Sequence, residues 1–229
     1  MKTNAIKPLL RAASGALCCI GLLAAAPAHA DTVALRYAGP SATIDTQVLI
    51  PVRATPISIR MGAYDIERQS PAGSFIAYCS DPFQYSHGSF SAYDSRPLAT
   101  HLAAAPARLA DVALLFGNAY AGSLASATGA AGFQLALWEM WHDDKNLDFG
   151  IVQATAGTSA LVRAEAQSLL DQLGGWTAGT PYRITVYASD DYQDYVTATP
   201  VPEPAAWALM LAGLGLAGGF ARRRRRQDA

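Results

Sequence analysis

A thiol and a side-chain amide are the two groups in this chain whose types suggest chemistry with each other. Cys79 stands in "YCSD" (78–81) and Gln134 in "GFQLALWEMW" (132–141). Two of the three cysteines, Cys18 and Cys19, fall in an apolar N-terminal stretch that reads as an export signal, which leaves Cys79 alone. Exported proteins meet an oxidising compartment, where cysteines usually pair, so an odd one is a liability, an intermolecular bridge or a reactive group. Gln134, Trp138 and Trp141 fall at i, i+4 and i+7 and share one helix face, with Phe133, Leu137 and Met140 on the neighbouring stripe. An amide buried in so apolar a helix costs a few kcal/mol unless it is bonded. Spacing alone favours a Gln134 that faces solvent or bonds backbone. A covalent alternative removes both oddities: a cysteine thiolate attacks the glutamine carbonyl, ammonia leaves, and an internal thioester remains. Trp138 would help to keep out water. Gln134 is placed near a helix N-terminus, whose free N–H groups would stabilise the oxyanion of the attack.

These two segments resemble the Cys–Gln thioester domains of bacterial surface adhesins. Tyr78, Cys79 and Asp81 match the Tyr-Cys-x-Asp-like segment, and Gln134, Ala136, Leu137 and Trp138 match the Thr-Gln-x-Ala-aliphatic-Trp segment. Phe133 stands where that family usually has Thr. The resemblance implies a single-use covalent binder of a surface amine, an adhesin without turnover. It casts Cys79 as the sulfur donor, Gln134 as the acyl donor, Asp81 as a guide of the strand end and Trp138 as a wall of the site.

Other readings stay open. His87, His101 or His142 could serve Cys79 as the base of a thiol hydrolase, although no cysteine-protease signature surrounds it. The domain could also be a passive envelope or matrix protein in which Cys79 is a small buried hydrophobe. "HDDKNLD" (142–148) carries the oxygen ligands of a calcium loop but not the EF-hand spacing, and reads as a solvated helix end; "SDDYQD" (189–194) reads as a solvated turn. "DFG" (148–150) lacks the rest of a kinase signature. No cofactor or metal is expected.

The elements that must position the pair read as a compact, β-rich single domain of the α+β class with about three helices. Strands are expected in "TVALRY" (32–37), "TQVLIPVRA" (46–54), "PISIRMG" (56–62), "SFIAYCSD" (74–81), "PYRITVYASDD" (181–191) and "DYVTATP" (194–200). Pro82–Pro97, rich in Ser, Tyr, His and Gly, reads as a loop. Helices are expected over 105–122, over 128–144 with Thr128 as cap, and over 159–175 capped by Ser159.

Both ends read as addresses. Lys2, Lys7 and Arg11, the apolar run Ala12–Ala26 and Ala28-His29-Ala30 make residues 1–30 a signal peptide for signal peptidase, with Asp31 first in the mature chain. At the other end the order is Pro202-Glu203-Pro204, 17 uncharged residues from Ala205 to Ala221, then Arg222, Arg223, Arg224, Arg225 and Arg226. As a helix the run spans about 26 Å, just enough for a hydrocarbon core of about 30 Å, with the arginines held on the cytoplasmic side. This order resembles the PEP-CTERM sorting signal of Gram-negative bacteria. It implies processing by an exosortase, an inner-membrane-anchored precursor, and a destination in the cell envelope, surface or extracellular matrix. The organisation expected is thus 1–30 signal peptide, 31–200 thioester-like domain and 201–229 sorting signal. Between Asp31 and Glu203 there are 9 basic and 17 acidic residues, a net of −8, which argues against a nucleic-acid partner.

Overall fold

The computed structural model describes residues 31–50, 55–177, 179–201 and 209–214. The strands are β1 (Asp31–Leu49), β2 (Pro56–Arg68), β3 (Gly73–Cys79), β4 (Ser91–Pro97), β5 (Gln153–Ala154), β6 (Tyr182–Ala188) and β7 (Tyr195–Pro200). The helices of the folded body are α1 (Leu98–His101), α2 (Pro106–Ser123), α3 (Ala127–His142) and α4 (Ala160–Gln172), the last followed by a 3-10 turn at Leu173–Gly175. Alternation explains strands such as β6, where Ile184 and Val186 point inward between Arg183 and Thr185. In α4, Val162, Ala166, Leu169 and Leu170 form one buried stripe at helical spacing.

All strand pairings are antiparallel, and their order is β2-β3-β7-β6-β4-β1-β5. The long β1 pairs with β4 through Asp31–Leu35 and with β2 through Leu35–Leu49, so six strands close on themselves into a barrel-like ring. Closure removes free edges for those strands. Two register shifts in β1, at Tyr37/Gly39 and Pro40/Ala42, bend it enough to serve both neighbours. Gly62 of β2 sits opposite this bend at φ 141°, and a Cβ there would lie 2.1 Å from the Ala42 carbonyl oxygen. Only glycine fits that crossing.

Helix α3 packs against β1 and β2 on one side and between α2 and α4 on the other. It is buried without interruption from Ala130 to Trp141, as an all-round apolar helix must be. Gly132 lets α4 come close: a Cβ there would meet Glu165 Cβ at 2.5 Å and the Ala166 nitrogen at 3.2 Å.

Several sequence expectations change. The separate strands at 32–37 and 46–54 are one strand up to Leu49, because the Gly39-Pro40 punctuation makes bulges rather than a turn; residues 51–54 lie outside the described residues. The strand at 56–62 runs on to Arg68. The loop expected over Pro82–Pro97 ends in β4, whose Ser- and Asp-rich sequence is held between β1 and β6 by pairing on both sides. The cap of α3 is Ser126, which accepts from the Gly129 N–H at 3.0 Å, and Thr128 is already inside the helix. Ser159 precedes α4 as expected but makes no side-chain cap bond. The signal peptide expected over 1–30 falls outside the described residues, and of the C-terminal apolar run only 209–214 is described, as exposed helix. Among the described residues no helix is long and apolar enough to cross a membrane.

Candidate functional site

Cys79 is the last residue of β3, in register with Tyr195 of β7, and its side chain is fully buried. Gln134 lies midway along α3 and is also fully buried. The residue before each sets their alignment. Tyr78 and Phe133 pack with ring centroids 4.5 Å apart and planes tilted by 35°, Phe116 packs edge-on against Phe133 at 5.2 Å, and the Tyr78 hydroxyl is 2.7 Å from Ser123 Oγ at the end of α2. Phe133, the departure from the adhesin pattern, is thus a core anchor that docks α3 on β3.

The Gln134 amide is bonded at both ends to the backbone of Cys79. The Cys79 N–H donates to Oε1 at 2.8 Å, and Nε2 donates to the Cys79 carbonyl at 2.7 Å. The buried amide is satisfied, as burial requires, and its carbonyl carbon is held against the residue that carries the thiol. The donor aimed at Oε1 is therefore Cys79's own N–H. Free N–H groups at the start of α3 do not reach it, because Gln134 lies more than a turn beyond Ala127.

The sulfur has its own environment. Cys79 Sγ donates to the Asp81 carbonyl at 2.9 Å, and Gln193 Nε2 donates to Sγ at 2.5 Å. Among the described residues the Trp138 indole N–H has no hydrogen bond of good geometry, yet it lies where it favours a thiolate at Cys79. Burial, with Asp81 adding to it, nevertheless holds the thiol well above its ordinary pKa. Asp81 turns the chain beyond the strand: its Oδ1 accepts from the Phe83 N–H at 2.7 Å. Of the residues singled out in the sequence, Tyr78, Cys79, Asp81, Gln134 and Trp138 all converge here.

Gln193 was not legible in the sequence. It arrives from the turn before β7, where its N–H donates to the Tyr85 carbonyl at 3.1 Å and its Oε1 accepts from Ser86 Oγ at 2.5 Å. A cavity of about 340 Å³ lies alongside, with Trp138 and Gln193 in its wall together with Tyr37, Tyr64, Tyr85 and Arg60. The three candidate histidines are engaged elsewhere. His142 Nε2 bonds the Ser80 carbonyl at 2.5 Å, His87 stacks on Tyr192 at 4.3 Å, and His101 packs near Trp141 at 5.6 Å. Among the described residues no histidine is hydrogen-bonded to the sulfur.

Further along α3, Glu139 is fully buried, and among the described residues neither carboxylate oxygen has a hydrogen bond of good geometry, although the Asn146 N–H faces it. Burial first, then neighbouring Asp143, pushes its carboxyl up to about 9.

Residues 200–226 match the PEP-CTERM protein-sorting motif. The motif marks the chain as an exported, exosortase-sorted surface protein. Pro202, Glu203, Pro204 and the five arginines from Arg222 to Arg226 lie within the match but outside the described residues. No curated protein sequence matches the chain. Among solved structures, the fold is similar to the N-terminal domain of the Streptococcus pyogenes pilus tip adhesin Cpa. The identity is 13%, covering 62% of this chain and 86% of that one, with a TM-score of 0.45. It is also similar to the N-terminal thioester domain of a surface protein from Clostridium perfringens, a Cys138Ala mutant in its own numbering. There the identity is 14%, covering 61% of this chain and 89% of that one, with a TM-score of 0.40. At those scores the likenesses assign no chemistry to the site.

Proposed function

We propose that this PEP-CTERM-sorted protein forms an internal thioester between Cys79 and Gln134 and uses it once, to capture an amine covalently at a surface. The observation that carries this reading is the two-point bond of the Gln134 amide to the Cys79 backbone. It holds the amide carbon beside the sulfur-bearing residue and aims one N–H donor at the oxygen that becomes negative during attack. Thioester formation joins Sγ to the Gln134 carbonyl carbon and breaks the C–N bond. The amide nitrogen leaves as ammonia and takes up the thiol proton. Full burial of both residues keeps water from the product. Capture reverses the roles: an amine attacks the same carbon through the cavity walled by Trp138 and Gln193, an amide forms at Gln134, and the Cys79 thiol is returned. The acyl group is consumed, so the protein does not turn over.

Intact mass tests the reading. The exported protein should be lighter than its sequence, as processed, by one ammonia. Incubation with a small primary amine such as methylamine should add that amine at Gln134, and Cys79→Ala should abolish both effects. Full sequence mass with a thiol that titrates on unfolding would overturn the proposal.

A further inference from the structure

We propose that the C-terminal end of α3 is a divalent-cation site of the calcium class, with Glu139, Asp143 and Asp144 as its protein ligands. This is independent of the thioester. One carboxylate oxygen from each of the three residues lies within 4.8 Å of the others. An ion that holds oxygens at about 2.3–2.6 Å can span such separations from one point. The second observation is Glu139 itself: 0% exposed, aimed into the cluster, and among the described residues without a hydrogen bond of good geometry to either oxygen, the Asn146 N–H that faces it being given to Asp144 Oδ1 at 3.1 Å. A buried carboxylate is costly unless a proton or a cation neutralises it, and here a bound ion would displace the proton that burial favours.

The surroundings concentrate negative charge that a cation can answer. Glu139 lies in the last turn of α3 and Asp143 is its C-cap, so both carboxylates stand at the negative end of the helix dipole, where anions are disfavoured. The neighbouring basic groups are committed elsewhere: Lys145 to Asp111 at 2.7 Å, Arg163 to Asp148 at 2.8 Å, and Arg108 to the His142 carbonyl at 3.3 Å. Among the described residues no ion pair reaches Glu139, Asp143 or Asp144. Backbone donors fix the other two ligands. Asp143 Oδ2 accepts from the N–H groups of Ile151 and Val152, the latter at 3.0 Å. Its Oδ1 accepts from the Asp144 N–H at 3.0 Å, and Asp144 Oδ1 accepts from the Asn146 N–H at 3.1 Å. The donor set is all carboxylate, with no thiolate or imidazole, which selects hard cations. Asp144 is exposed, so water can complete a coordination shell of six to eight oxygens. Such an open site suits the weak range of extracellular modules, with Kd about 10⁻⁴–10⁻³ M.

The test is calorimetric titration of the full-length chain, purified in detergent and stripped with EDTA, with calcium chloride, alongside thermal unfolding. One ion should bind per chain, and at a hundredfold excess over Kd the Tm should rise by about 5–10 °C. Glu139→Gln and Asp144→Asn should each weaken binding at least tenfold, while Asp171→Asn, a remote acid on α4, should leave it unchanged. Absence of both heat and Tm shift up to about 10 mM calcium, the top of the extracellular range with a margin, would overturn the proposal. So would undiminished binding in the two ligand variants, or binding of magnesium in preference to calcium. Should Glu139→Gln fail to fold, the exposed Asp144→Asn decides alone.

Discussion

The clamp between Gln134 and Cys79 can be weighed apart from any covalent bond. In a Cys79→Ser background no thioester can form, but the two bonds from the Gln134 amide run to backbone atoms and survive. Gln134→Met in that background keeps roughly the same volume and removes only the polar end. It leaves the Cys79 position's N–H and C=O buried and unpaired, and each orphan costs about 1–3 kcal/mol. The double variant should therefore be less stable than the single one by about 2–6 kcal/mol, a large share of the roughly 5–15 kcal/mol that holds a domain together. For a domain of this size the Tm should fall by roughly 5–20 °C. Urea unfolding followed by tryptophan fluorescence reads the difference directly, since Trp138 and Trp141 flank the site and are buried. A loss below about 1 kcal/mol, less than one orphaned group should cost, would refute the two-point clamp and with it the positioning on which thioester formation depends.

Gly132→Ala brings a Cβ to 2.5 Å from Glu165 Cβ; overpacking of about 1–3 kcal/mol should outweigh the gain in helix propensity of about 1 kcal/mol, giving a net loss in chemical denaturation. Asp194 is pushed up to about 6 mainly by burial. A raised folded pKa means its contribution is fully present below the unfolded value near 3.8 and is lost as pH rises through about 6. Asp194→Asn should flatten stability between those two pH values and stabilise the protein above pH 6 by on the order of 1 kcal/mol after solvent screening, as read from Tm against pH; an unchanged slope would show that burial of Asp194 has no cost. Replacing Pro202-Glu203-Pro204 with alanines should leave a membrane-inserted, unprocessed precursor, seen by fractionating a tagged chain in its host. Processing like wild type would separate sorting from the motif.

Residues 200–226 were legible because a sorting signal is read as a linear string, with its order of prolines, apolar run and arginines intact in the sequence. The three long helices and most strands were legible because periodicity records which side of a local element is buried. Cys79 and Gln134 stood out by type, an unpaired cysteine and a lone amide in an apolar helix. Which partner Gln134 would take was not in the sequence. Solvent, any backbone group and Cys79 satisfy the same spacing, and only the docking of Phe133 on Tyr78 selects among them. β4 was hidden because its polar sequence is held by ladder bonds to β1 and β6 rather than by its own propensity. Gln193 lies 114 residues from Cys79 and reaches it only because β7 pairs with β3. Nothing in the spacing of α3 marks Glu139 as a ligand. Its meeting with Asp143 and Asp144 needs the helix to end and the chain to fold back beneath it, tied by Ile151 and Val152 to Asp143. Local pattern fixes which residues turn inward; long-range pairing and packing decide whom they meet there.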